Sequence, residues 1–260
     1  MIPRFDVLVG GLHAERKAVD ALAVGAATGQ SLDDETALAG LWRSLTAGTS
    51  RIVETFSTSD RMGLAVTSRL GPPLQPIAER PLAVLERVLV AAQQKAVGYD
   101  FDASPSNITS VLKQALAAMG LACLPSRLPL LLVVAAHAAR TPGATCSVRV
   151  GSQRVGEILY QTFTLHDATA WLGERLTLAQ GNVANAWIDG KTHAEIAASC
   201  NISKRTVANH LAAVYQTLKV SGRLGLLSLL SAEYLAGRVF HQHCSSAHEL
   251  MPIPAAHLRS

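Results

Sequence analysis

The sequence predicts a mainly α-helical protein with small β-hairpins, organised as two tandem four-helix units. Three observations lead there. Hydrophobic residues make up 49% of the 260-residue chain and charged residues 16%, a globular balance rather than a disordered one. Aromatic residues are only 5% while Ala and Leu abound, which favours helix. The apolar pattern of residues 81–140 also recurs, shifted by 99 positions, toward the C-terminus.

The same numbers exclude several classes. A net charge of +4 and a pI near 9.0 fit a polyanionic partner without identifying one. The four cysteines, Cys123, Cys146, Cys200 and Cys244, form no CxxC pair, so no zinc ribbon or redox motif is visible and reduced thiols are expected. The N-terminus lacks the h-region and cleavage site of a signal peptide. The longest apolar run, Leu128 to Ala136, contains Pro129 and is too short to span a bilayer. These features predict a soluble, cytoplasmic protein.

Along the chain, residues 1–48 read as an N-terminal helical segment. One helix is expected near Leu12 to Ala27 and another near Asp33 to Thr46, capped by Ser31 and ended by Gly48. The segment is too short for a sensory domain. A first unit is expected at 49–140. It opens with a hairpin, Arg51–Phe56 and Arg61–Val66, around Ser57-Thr-Ser-Asp60. Four helices follow, the third starting at Ser104-Pro105, where proline at the first helical position loses no needed hydrogen bond. Its outward face is Ser106, Asn107, Thr109, Ser110 and Lys113, polar but with one cation. Phosphate neutralisation supplies much of the affinity for DNA, so only weak DNA contact is expected there.

A second unit is expected at 142–238, opening with a hairpin of Thr145–Val150 and Gly156–Phe163 around Gly151-Ser-Gln. Its first helix should run from Leu178 to Ile188 and stop at Asp189-Gly190, where glycine takes the left-handed cap. The second should start near Thr192 and end around Cys200. A tight turn, Asn201-Ile202-Ser203, leads to a third helix capped by Ser203 and running from Lys204 to Leu218. Val207, Leu211, Val214 and Leu218 repeat at helical spacing and face inward, leaving Lys204, Arg205, Thr206, Asn209, Ala213 and Gln216 outward with His210 at the boundary. An anchored helix that carries cations and amides on its free face is what reading a major groove requires. The expected DNA contacts are Lys191, Thr192, Lys204, Arg205, Thr206, Asn209 and His210.

The residues Gly190, Thr192, Glu195-Ile196-Ala197, Ile202-Ser203, Thr206-Val207, His210-Leu211, Leu218, Val220 and Arg223 give this segment its likeness: it resembles the helix-turn-helix DNA-binding domain of LuxR/FixJ-type transcription regulators. The resemblance implies that the third helix lies in the major groove and the fourth helps dimerisation. It also implies a fold of tandem LuxR-type domains if the first unit is a degenerate copy. The segment departs from the family in having Ala179-Gln180-Gly181-Asn182 where an acidic pair is usual, and Ala194 and Ala208 where lysines are usual.

Both fourth helices are apolar nearly all round and need covering on all sides. Leu128 and Leu131 in one, Leu224 and Leu227 in the other, are expected to pair, within one chain as a pseudo-dimer or between chains as a homodimer. The tail, residues 239–260, clusters His241, His243, Cys244 and His248, but its spacing matches no metal site and no metal or cofactor is expected. The function that follows is a double-stranded DNA-binding transcription regulator. The alternative is a module of the same fold that docks on RNA polymerase or another regulator without base readout. No nucleophile–His–acid array, phosphate loop or carboxylate pair stands out, so no enzyme is expected.

Overall fold

The computed structural model describes residues 36–57, 60–69, 76–89, 94–121, 128–141, 143, 146 and 148–239. The expected helix at Leu12 to Ala27 and the His/Cys-bearing tail lie outside these residues. In chain order the elements are α1 (Ala37–Thr46), β1 (Ser50–Ser57), β2 (Arg61–Arg69), α2 (Glu79–Leu89), α3 (Gln94–Asp100), α4 (Pro105–Ala118) and α5 (Leu130–Arg140). There follow β3 (Arg149–Val155), β4 (Ile158–His166), α6 (Thr169–Gly173), α7 (Leu178–Ile188), α8 (His193–Cys200), α9 (Lys204–Leu218) and α10 (Gly222–Leu235). No helix among the described residues is long and apolar enough to cross a membrane.

The strands form two antiparallel hairpins that join into one four-stranded sheet of order β1-β2-β4-β3. The join is the β2–β4 pair, nine residues long, running from Arg61↔His166 to Arg69↔Ile158 with Ala65↔Thr162 at its centre. Leu64 and Val66 from β2 and Phe163 and Leu165 from β4 are buried on one face, which the helices cover. Each hairpin alone would leave a long apolar strand edge unpaired, and pairing the two inner strands removes that liability.

The second hairpin corrects the sequence expectation. Gly151-Ser152-Gln153 is not its turn but part of β3, with Gly151 opposite Thr162. The chain reverses at Gly156-Glu157, between the paired Val155 and Ile158. Gly156 has φ +61°, and a two-residue turn with glycine first matches the strand twist. The turn lies five residues later than expected, and β4 runs on to His166, far enough to pair with the whole of β2.

Two glycines mark close approaches. Gly63 lies under the Phe56 ring of its cross-strand partner, where an added Cβ would come within 2.4 Å of the ring. Gly120 follows α4 with φ +92°, and a Cβ there would sit 2.2 Å from the Ile52 carbonyl oxygen. The Ile52 amide donates to the Met119 carbonyl at 2.7 Å, at the bulge where the β1 register shifts. The end of α4 is thereby fastened to the edge of the sheet.

Helix ends follow local chemistry. Ser104 caps α4, accepting from the Asn107 amide, with Pro105 at the first helical position. Helices α2 and α7 start at Glu79 and Leu178 and end at Leu89 and Ile188, both 99 positions apart. The cap serines Ser104 and Ser203 share that spacing. The main core joins α1, the sheet, α2, α4, α5 and α10. Helix α5 is buried on nearly every side, and it packs against α1 and α10, with Leu128, Leu131 and Leu227 in one cluster. Leu224, expected in the same contact, is half-buried and packs against the same cluster.

Candidate nucleic-acid interface

Helices α7, α8 and α9 form a compact trihelical unit with its own small core. Val183 and Ala186 of α7, Ile196 and Ala197 of α8, and Val207 and Leu211 of α9 are buried together. Small residues at 186 and 197 let the helices approach closely. Ala184, Ile188 and Val214 belong instead to the main core, so one unit is anchored to the rest of the molecule through both α7 and α9.

Caps define each end. Thr177 and Gln180 form a capping box on α7, and Thr192 and Glu195 form another on α8. Gly190 takes φ +82° after α7. At the tight turn Asn201 adopts the left-handed conformation, φ 52°, and the Ile202 amide returns to the Ala197 carbonyl at 3.0 Å. Ser203 then caps α9 by accepting from the Thr206 amide at 3.0 Å. This is a helix–turn–helix in which every cap residue serves the backbone.

On α9, Val207, Leu211 and Val214 are buried, while Lys204, Arg205, Asn209 and Gln216 are exposed and Thr206, His210 and Ala213 are half-buried. Lys191 is exposed and Thr192 half-buried just before α8. Two of the expected contact residues already have work within the fold. The Thr192 hydroxyl accepts from the Glu195 amide at 3.2 Å, and the Thr206 hydroxyl pairs with that of Ser203 at 2.8 Å. Lys204, Arg205 and Asn209 carry exposed cationic and amide donors on this face, with Gln216 and Lys191 exposed beside them. Ala194 and Ala208 are exposed where lysine is usual in the family, so the outward surface is less cationic than the resemblance implies.

The other expected face lies on α4, which packs on α2 and α3. Ser106, Asn107, Ser110 and Lys113 are exposed and Thr109 half-buried. The Thr109 and Ser110 hydroxyls donate back to the carbonyls of Pro105 and Ser106 at 2.9 and 3.1 Å, which leaves Asn107 and Lys113 as its outward donors with free reach.

Sequence reasoning counted Arg223 only as a motif residue; its role is structural and central. It is 6% exposed. Its Nε donates to the Trp187 carbonyl and its Nη2 to the carbonyls of Ile188 and Leu128, all at 2.8 Å. A cation at the C-terminal end of α7 meets the negative end of the helix dipole. The third bond crosses to the chain entering α5, so one side chain ties the trihelical unit to the rest of the fold. Beside it, burial raises the pKa of Tyr215. Trp187 stacks on His193 with ring centroids 5.1 Å apart, holding the start of α8 against the end of α7.

Residues 174–230 match the family model described as bacterial regulatory proteins, luxR family. No curated protein and no solved structure matches the chain. The match covers α7 to α10 up to Leu230, the four helices whose caps, turn and exposed face are described above. The C-terminal part of this chain thus carries a LuxR-type helix-turn-helix domain, the domain of DNA-binding transcription regulators.

Proposed function

We propose that the protein is a sequence-specific transcription regulator that reads double-stranded DNA with α9 in the major groove. Lys204 and Arg205 contact phosphate and base edges, Asn209 is the amide that pairs with a base, and His210 lies at the edge of the contact. Lys191 and the first turn of α8 at Thr192 hold a neighbouring phosphate. The single supporting observation is the α9 surface: exposed Lys204, Arg205 and Asn209 stand over the buried Val207, Leu211 and Val214 in a luxR-family match. Selection of bound fragments from genomic DNA, followed by binding to the selected site, tests this. The Arg205→Ala variant should lose about 1–3 kcal/mol on its target and relax specificity at one position. Unchanged affinity and an unchanged salt slope would sink the reading.

The first unit, 49–140, is on this reading a second copy of the fold that supplies symmetry more than sequence reading. The 99-residue spacing of helix ends and cap serines supports it, as does the packing of α5 on α10. The two fourth helices then make a pseudo-dimer within one chain. Asn107→Ala should leave affinity almost unchanged. A second reading, docking on RNA polymerase or another regulator, is favoured only for α4, whose outward face carries one cation and two hydroxyls turned back to the backbone.

A further inference from the structure

The four-stranded sheet has a second face, turned away from the helices that cover Leu64, Val66, Phe163 and Leu165. Side chains alternate along a strand, so Arg61, Ala65 and Thr67 of β2 lie on this second face, with Tyr160, Thr162 and Thr164 of β4 beside them. Its apolar cluster, Ala65 and Tyr160 with Phe56 and Ile158, consists of strand residues alone among those described. An antiparallel sheet with one face on the core commonly carries its other face in water. This face is closed instead. Tyr160 is 4% exposed, although its cross-strand neighbours are only Thr67 and Gln153. Thr162, between Ala65 and Gly151, is 0% exposed, and its hydroxyl has no hydrogen-bond partner among the described residues. Neighbours this small do not close over a tyrosine ring and a central threonine, so a further stretch of chain is needed above them. The burial holds within a single chain, so the cover comes from the same chain.

We propose that residues 1–35 dock on this outer face of the sheet, with the helix expected at Leu12–Ala27 lying across the strands and Glu15 meeting Arg61 and Arg149. Charge selects this segment. Arg61, 5% exposed, shares one end of the face with Arg149 and with His166, whose Nε2 is 2.6 Å from Arg61 Nη2. Asp60 stands 3.9 Å from Arg61, but at both Arg61 and His166 the repulsion from arginine outweighs the pull of the nearby carboxylates, so the local field is positive. Residues 1–35 carry six carboxylates against three cations, whereas residues 240–260 carry one of each. The stretches 70–75 and 122–127 lead back to the main core at Ile77 and Leu128. Leu12, Val19, Leu22, Ala23 and Ala26 share one side of the expected helix, and Glu15 falls among them. A carboxylate within an apolar stripe needs a cation when that stripe is buried, and this face provides two arginines. Reach is sufficient. A helix over Leu12–Ala27 is about 24 Å long, enough to cross four strands about 4.8 Å apart. Residues 28–35 can span about 26 Å to Thr36, which precedes α1 beside β1. The face belongs to both hairpins, so a segment docked there fastens the two halves of the sheet to each other.

The test uses the full chain without DNA, so its outcome is independent of the DNA-binding proposal. The photo-crosslinker p-benzoylphenylalanine takes the place of Gln153, which is exposed and stands beside Tyr160 on this face. Irradiation of mixed isotope-labelled and unlabelled chains, followed by peptide mass spectrometry, identifies the partner and separates links within a chain from links between chains. Links within one chain to peptides of residues 1–35 are expected. Glu15→Lys should lower their yield at least about threefold, since an attraction to the two arginines becomes a repulsion. The control Glu249→Lys, in residues 240–260, should leave the yield unchanged. Links to residues 240–260, links only to a second chain, no links at all, or a yield indifferent to Glu15→Lys would each overturn the proposal.

Discussion

Replacing Arg223 with methionine isolates the hydrogen bonds that join the helix-turn-helix to the remainder of the fold. Methionine keeps much of the apolar stem and removes every donor. Three bonds of 2.8 Å are lost, but the Trp187 carbonyl retains the Gly190 amide at 3.1 Å. The Ile188 and Leu128 carbonyls lose the guanidinium. A buried polar group deprived of its partner costs about 1–3 kcal/mol, so the variant should be less stable by about 2–4 kcal/mol. Relief of the buried cation's own desolvation offsets part of the loss, which holds the figure to the lower half of that range. For a chain of this size 1 kcal/mol moves the melting temperature by about 2–4 °C, so a fall of about 4–12 °C is expected. Thermal unfolding followed by circular dichroism measures it. Arg223→Lys should recover less than half of the loss, because a single ammonium cannot span carbonyls on both sides. A fall under about 2 °C for the methionine variant, or full rescue by lysine, would refute the idea that this side chain carries the joint.

Four further outcomes follow from named contacts. Leu227→Ala and Leu131→Ala, both fully buried where α5 meets α10, should each cost about 2–5 kcal/mol in urea unfolding. The double variant should fall short of their sum by at least about 0.5 kcal/mol if the two helices share one contact. Gly120→Ala should destabilise by more than about 2 kcal/mol, since the added carbon meets the Ile52 backbone at a positive φ; a neutral result in the same assay would remove the α4 fastening. Burial pushes the Cys146 thiol up to about 12, so native-state alkylation at pH 8 read by mass spectrometry should label Cys200 well ahead of Cys146. The same shift is a stability statement: the unfolded thiol ionises first, so stability contributed by Cys146 is present below about pH 9 and declines as pH rises toward about 12. Cys146→Ala should flatten that alkaline decline in melting temperature.

The helix-turn-helix was legible because its information is local. Thr192 with Glu195, Asn201 before Ser203, and the Val207–Leu211–Val214 spacing each act within a few residues, and the observed bounds of α7 and α9 match the expected ones. The second hairpin was misplaced because Gly151 and Gly156 are equally good turn residues in isolation. Pairing of β4 with β2, whose paired residues lie 89 to 105 positions apart in sequence, decides between them. The sequence placed Thr109, Ser110, Thr192 and Thr206 among the candidate contacts but did not show how their hydroxyls are engaged within the fold, because residue type shows capacity and not occupancy. Each has a partner within four residues.

What the chain's order of residues settled alone was therefore the bounds of α7 and α9, the serine caps of α4 and α9, and the exposed positions of α9, since helix formation and capping are short-range. Folding decided the rest. It joined two hairpins into one sheet, put α5 against α10, and buried Arg223 among three carbonyls from two parts of the chain. Those contacts depend on which apolar surfaces meet, and burial of one surface by another is a property of the pair that neither segment carries by itself.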